Sequence, residues 1–357
     1  MGMPTLNINF KTAASTAVKR GSRGVLMLIL KGSVPSGNPL TITGLADVPS
    51  SVSSANKEYI ELALKGHDHA PLKVIAYFIS SSDGEVSTAL DWAATQKIDW
   101  LSMPTAETDG ATDIIKQWVI DQKRYNNEVR AVLPNCKADS EYIVNCTGDI
   151  ITKTKTYDAE ALSVRIAGMI CGTELEHSIT YATIPEAVDC TRKTVTELDT
   201  AVNGGELVTF FDGEKVKIAR GVNSLTSTSD IKGGEYKKIK NIETMCLIKS
   251  DLRRLCQDSY VGRYANTYSN RCLLLAAIED YFDTLIEDGA VSTREVSFDI
   301  KGIKSAMSKA GISYSSMSEQ EIKEYDFGSG VYISVKTKLL DAIEDISIEI
   351  ETSGGDE

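Results

Sequence analysis

Between residues 25 and 135, short apolar runs alternate with stretches in which apolar positions recur every three to four residues. The runs at 25–30, 74–79, 98–103 and 129–133 have the length and composition of strands. Helical spacing marks residues 54–65, which end at Gly66, residues 85–95, which follow the turn signal Asp83-Gly84, and residues 111–125. The last of these places Ile114, Ile115, Trp118 and Val119 on one face. Strand and helix in repeated alternation predict parallel strands joined by crossover helices, an α/β layer. A further strand is expected over 142–146 and a helix over 158–171. Asp158 is its N-cap, Gly172 lies past its end, and Leu162, Ile166, Met169 and Ile170 form its buried stripe. Residues 206–211 and 215–220 flank Asp212-Gly213, a hairpin signal.

Small polar residues over 227–234 suggest a domain boundary, and the last third of the chain reads as α+β. Met245, Ile248, Leu252 and Leu255 share one helix face. A second helix over 271–287 has Leu274, Ile278, Tyr281 and Leu285 in register, with Ser269 before it and Gly289 after. Strands over 294–299 and 331–338 bracket a short helix at 301–310. Its Ile303, Met307 and Ala310 are expected to face inward, leaving Lys301, Lys304 and Lys309 outside. Lys237, Lys238 and Lys240 form a second basic cluster. Each cluster fits a solvated face or a contact surface.

The two ends differ from the rest. Leu6, Ile8 and Phe10 alternate with Thr5, Asn7, Asn9 and Lys11, and Ile346, Ile348 and Ile350 alternate with Ser347, Glu349 and Glu351. Both therefore read as half-buried strands on polar connectors. Residues 1–46 contain Lys11, Lys19, Arg20, Arg23 and Lys31 and no acid, whereas residues 341–357 contain seven acids and no Lys or Arg. Strands of opposite charge can pair within one chain or be donated to the open sheet edge of a neighbouring copy.

A length of 357 residues predicts two or three domains, and 42% apolar with 25% charged residues is ordinary for a soluble globular protein. A disordered tail, a collagen-like chain and a disulfide scaffold are excluded. The net charge of −12 argues against sequence-independent binding to a phosphate backbone. The longest early apolar run, residues 25–30, is too short for a membrane span and short for a signal peptide. Seven cysteines with no C-x-x-C pair point to reduced thiols in a cytoplasm.

Catalytic signatures are missing. Neither G-x-G-x-x-G nor G-x-x-x-x-G-K-[ST] nor G-x-S-x-G occurs. Lys31-Gly32-Ser33-Val34-Pro35 has the wrong glycine spacing for a phosphate loop, and Gly328-Ser329-Gly330 precedes a strand. Of three histidines, His67 and His69 flank Asp68 in what reads as a solvated turn rather than a metal site, and His177 stands alone. No catalytic residue, cofactor site or metal ligand is nominated.

Several segments do resemble a known family. RIAGMICGT at 165–173 with SITY at 178–181, FDG at 211–213 with ARGVNSLT at 219–226, YVGRYAN at 260–266 and LDAIED at 340–345 follow the order found in sheath proteins of contractile tails. Such proteins occur in long-tailed bacteriophages and phage-tail-like bacteriocins, and the resemblance covers most of the chain. It implies a subtilisin-like parallel α/β domain without protease activity, since the histidine–glycine motif and the serine-bearing helix start of that fold are missing. An α+β C-terminal domain and extended N- and C-terminal β arms would complete the subunit. We expect an N-terminal arm over 1–24, the α/β domain over 25–232, the α+β domain over 233–339 and a C-terminal arm over 340–357.

The function so implied is structural: hexameric rings polymerise around a tail tube and contract to drive it through a cell envelope. The implied partners are neighbouring sheath subunits, the tail tube protein, and baseplate and tail-terminator proteins, with no direct nucleic acid, no membrane insertion and no cofactor. The place of action would be the sheath of a virion or bacteriocin particle assembled in a bacterial cytoplasm. Leu6, Ile8, Phe10, Ile346, Ile348 and Ile350 would join subunits, and Lys301, Lys304 and Lys309 would face the tube. The alternatives are an α/β enzyme with an unrecognised site and a monomeric scaffold with both ends folded back.

Overall fold

The computed structural model describes residues 23–81, 85–230, 232–326 and 328–352. Leu6, Ile8, Phe10 and the Asp83-Gly84 turn lie outside them. The chain divides into two units, residues 22–246 with 341–357 and residues 1–21 with 247–340.

The first unit opens with β1 (Val25–Lys31), β2 (Leu40–Ile42), α1 (Ser54–Leu64), β3 (Lys73–Ile79), α2 (Val86–Ala94), β4 (Trp100–Ser102), α3 (Thr112–Arg124), β5 (Arg130–Pro134) and β6 (Ile143–Cys146). Next come β7 (Ile150–Thr152), β8 (Thr156–Tyr157), α4 (Ala159–Cys171), β9 (Ala187–Asp189), α5 (Val195–Asn203), β10 (Glu206–Leu207), β11 (Thr209–Phe211) and β12 (Val216–Ile218). A seven-stranded sheet has the order β10-β6-β5-β4-β1-β3-β2. All its pairs are parallel except β2 with β3.

The interior strand β1, between β4 and β3, shows why its sequence lacks alternation. Leu26, Leu28 and Leu30 pack on one face with residues of α1 and α4, while Val25, Met27 and Ile29 pack on the other with residues of α2 and α3. A parallel strand covered on both faces must be apolar at every position. α4 is buried along nearly its whole length. Asp158 accepts a hydrogen bond from the Ala161 amide at 3.0 Å, as its cap position predicts. Gly168 lets α4 approach α1, since a Cβ there would lie 2.2 Å from the Ala63 carbonyl oxygen.

Two expectations need correction here. The strand over 206–211 is two strands: β10 joins the large sheet beside β6, whereas β11 pairs with β12 around Asp212-Gly213. Ile114 is not part of the buried face of α3 but is exposed, with Ile115 and Val119 carrying the packing.

The division between units falls within α6 (Ile239–Leu255). Its first half buries Asn241, Glu243 and Thr244 beside Ile242 and Cys246, polar positions that the apolar pattern did not reveal.

The second unit contains α7 (Tyr268–Glu287), β13 (Val291–Phe298), α8 (Ile300–Lys309), α9 (Glu319–Glu324) and β14 (Ile333–Leu339). Leu274, Ile278, Tyr281 and Leu285 of α7 are buried as the spacing requires. The cap is Thr267 rather than Ser269: its hydroxyl accepts from the Asn270 amide at 3.2 Å, and the helix starts a turn early. β13 and β14 form an antiparallel two-stranded sheet. In α8, Ile303 and Met307 join Phe298 and Ile322 in a small core, but Ala310 is exposed because the helix has ended before it.

Candidate functional site

The segment after β14 changes character within five residues. Residues 341–352 form no strand, and among the described residues the isoleucines at 346, 348 and 350 are 73%, 76% and 80% exposed. The expected half-buried strand is therefore absent from the subunit. An extended segment with no neighbouring strand gains neither a ladder nor cover for its apolar side.

Glu344 is the exception, its side chain being only 4% exposed. The Thr180 hydroxyl donates to Oε1 at 2.6 Å, and the Ser178 hydroxyl donates to the same oxygen at 3.3 Å. On Oε2, the Lys238 ammonium stands at 2.9 Å and the Arg220 guanidinium at 3.6 Å. Lys238 also pairs with Asp341, and Arg220 with Asp345.

Contacts among the partners themselves help to hold this cluster in place. The Thr180 hydroxyl oxygen accepts from the Gly221 amide at 2.9 Å, and the Ser178 oxygen accepts from the Thr180 amide at 3.1 Å. An antiparallel bridge between Val222 and Lys238 brings the two cations together. Burial pulls the Lys238 ammonium down, but hydrogen bonds to Asp341 and Glu344 more than offset it and hold its pKa above the ordinary lysine value.

The other basic positions separate. Lys240 is buried, and burial depresses its pKa, so Lys237, Lys238 and Lys240 are not a free basic patch. On α8, Lys301 and Lys309 are exposed, while Lys304 is half-buried with its ammonium 5.8 Å from the centre of the Tyr314 ring. The two-stranded sheet leaves the outer edges of β13 and β14 without a strand partner among the described residues.

The histidine turn gains a distant member. Asp68 accepts from His177 Nδ1 at 2.9 Å and from the Glu174 amide at 2.9 Å. This hydrogen bond raises the His177 pKa, whereas burial lowers that of His67. Glu174, Glu176 and His177 could bring ligand atoms together, but all three are exposed. Burial pushes the thiols of Cys136 and Cys246 up to about 11, which removes them from thiolate chemistry at neutral pH.

Sequence reading missed Glu344, although a signal existed. Residues 344, 346, 348 and 350 share one parity, so Glu344 is an acid in the register that afterwards carries only isoleucine. Such an acid needs a polar receptor if its side chain is to be buried.

The profile of the phage tail sheath C-terminal domain matches residues 232–353. The chain is 32% identical to the tail sheath protein of Clostridium phage phiCD119, over 98% of this chain and 99% of that one. Its fold is similar to the crystal structure of the sheath tail protein of Desulfitobacterium hafniense (TM-score 0.70, 16% identity, 83% and 94% of the two chains). It is equally similar to a chain of the contracted helical sheath of the anti-feeding prophage (TM-score 0.70, 12% identity, 99% and 100% of the two chains). Identity of this extent over nearly the whole length means that the chain belongs to the tail sheath protein family, the subunits of contractile tail sheaths in phages and phage-like particles.

Proposed function

We propose that this sheath subunit, a structural protein and not an enzyme, assembles as hexameric rings stacked around a tail tube and is joined to its neighbours by strands donated from both ends. The observation that carries the reading is the row Ile346, Ile348 and Ile350, exposed on a segment that its own subunit does not cover. Covering one such side chain contributes about 1.5–3 kcal/mol, so three per arm favour assembly strongly. The open edges of β13 and β14 are suitable acceptors. Residues 1–24, with Leu6, Ile8 and Phe10, would form the second arm, the α/β domain of 25–232 would have a subtilisin-like, non-catalytic topology, and 233–339 would complete the body before the arm of 340–357. Chains of the anti-feeding prophage with this fold are found in a contracted helical sheath and in a baseplate, which supports the same use here.

With no nucleotide chemistry in the reading, contraction runs downhill. The extended sheath is metastable, the contracted one buries more surface between subunits, and subunits turn as nearly rigid bodies with the arms as hinges. Baseplate and tail-terminator proteins bound the polymer, and the tube protein fills it. Negative-stain images of the purified chain at rising concentration should show striated cylinders. Lasting monomers at high concentration would reject the reading.

The tube contact is assigned to Lys301, Lys304 and Lys309. A weak polar contact suits a sheath that must release its tube, and exposed Lys301 and Lys309 meet that need. Reversing the charge of Lys301 and Lys304 should weaken co-sedimentation with the tube about threefold to tenfold at low salt. Sheath self-association should be unaffected, and unchanged tube attachment would refute the assignment.

A further inference from the structure

We infer that Glu344 is a positioning residue: it clamps the root of the C-terminal segment to its own subunit, so that residues 346–357 leave from a fixed pivot. The inference rests on the reading of that segment as an arm and adds where and how the arm is held. Three carboxylates within residues 341–345, Asp341, Glu344 and Asp345, meet two cations, Lys238 and Arg220. Of the three, Glu344 alone is buried, and it alone engages both cations and two hydroxyls.

The contrast between this root and the residues beyond it defines the pivot. Residues 346–352 belong to no strand or helix, and their isoleucines are exposed. Ile343, one position before Glu344, is exposed as well, so the root is held by charge and hydrogen bonds rather than by apolar packing. Such a clamp shortens the free tether to residues 346–357, a contour of about 40 Å. It also fixes the direction of departure. Both effects raise the effective concentration of the arm at a neighbour's acceptor edge. An ionic clamp with partly exposed cations also weakens with salt.

The test uses the full chain with Cys256→Ser and Cys272→Ser, since these are the two thiols that are not buried. A nitroxide on Ile343→Cys or Ile348→Cys is read by electron paramagnetic resonance below the assembly concentration. The label at 343 should be restricted and that at 348 mobile. Glu344→Gln should loosen position 343, Glu344→Lys should make it as mobile as 348, and Asp345→Asn should change it little. Equal mobility at 343 and 348 in the parent chain, or a restricted 343 label in Glu344→Lys, would overturn the clamp.

Its role in assembly is read separately. Glu344→Lys should raise the concentration needed for cylinders about threefold or more while leaving the thermal transition in place. A freed root with unchanged assembly would reject the pivot but leave the arm reading standing. If the parent chain never forms cylinders, the arm reading itself fails.

Discussion

Glu243→Ala is expected to destabilise the unit of residues 22–246 by about 3–5 kcal/mol, the cost of stranding a buried charge. Glu243 Oε1 lies 2.9 Å from the Arg130 guanidinium and accepts from the Trp100 indole N–H at 2.7 Å. Oε2 faces Arg23 at 3.4 Å. Arg130 is buried, its pKa is held above the ordinary value, and its guanidinium stacks 5.0 Å from the centre of the Trp100 ring. Removal of the carboxylate would leave a buried guanidinium without its counter-charge, held only by its Nε donating to the Asp99 carbonyl at 3.3 Å, and an indole N–H without its acceptor. The three tryptophans, Trp92, Trp100 and Trp118, all belong to this unit, so urea unfolding followed by their fluorescence reports its stability alone. Asp121→Ala, which breaks an exposed pair with Arg124 one turn away on α3, should cost no more than about 0.5 kcal/mol. Similar losses for the two variants would contradict the argument.

The second large effect concerns assembly. A chain ending at Leu340 loses all seven acids of the tail and four exposed isoleucines, Ile343 and the row Ile346, Ile348 and Ile350, yet gives up only the Glu344 clamp and its two flanking pairs. Lys238 and Arg220 are partly exposed, so water can replace their lost partners. The truncated chain should therefore unfold within a few degrees of the intact one. Polymer formation, by contrast, should fall by more than about a thousandfold in concentration, the equivalent of roughly 4 kcal/mol per arm. Sedimentation velocity and negative-stain images decide it: cylinders of normal appearance from the truncated chain would refute strand donation by the C-terminal end.

Much of the fold was legible because local periodicity and packing agree. The unbroken apolar run of β1 requires cover on both faces, and α1, α2, α3 and α4 supply it. Asp158 and Asp212-Gly213 act where short-range chemistry places them. The misreadings arose where that local signal was shared. The run over 206–211 has no break in its strand propensity, and only pairing with β6 on one side and β12 on the other divides it. Thr267 and Ser269 are both competent caps, and the chain uses the earlier one.

The sequence by itself determined the alternating elements, the opposite charges of the two ends, the isoleucine register of the tail and membership in a family that its motifs already resembled. These are properties of neighbours along the chain, where spacing alone decides which side chains share a face. The tertiary structure alone decided that Glu344 meets Thr180, Lys238 and Arg220, that Asp68 meets His177, and that Glu243 meets Arg130 and Trp100. Each of these pairs residues far apart in sequence. An acid has many possible cations in an acidic, lysine-bearing chain, and only the packed backbone brings one of them within reach and removes the competing water.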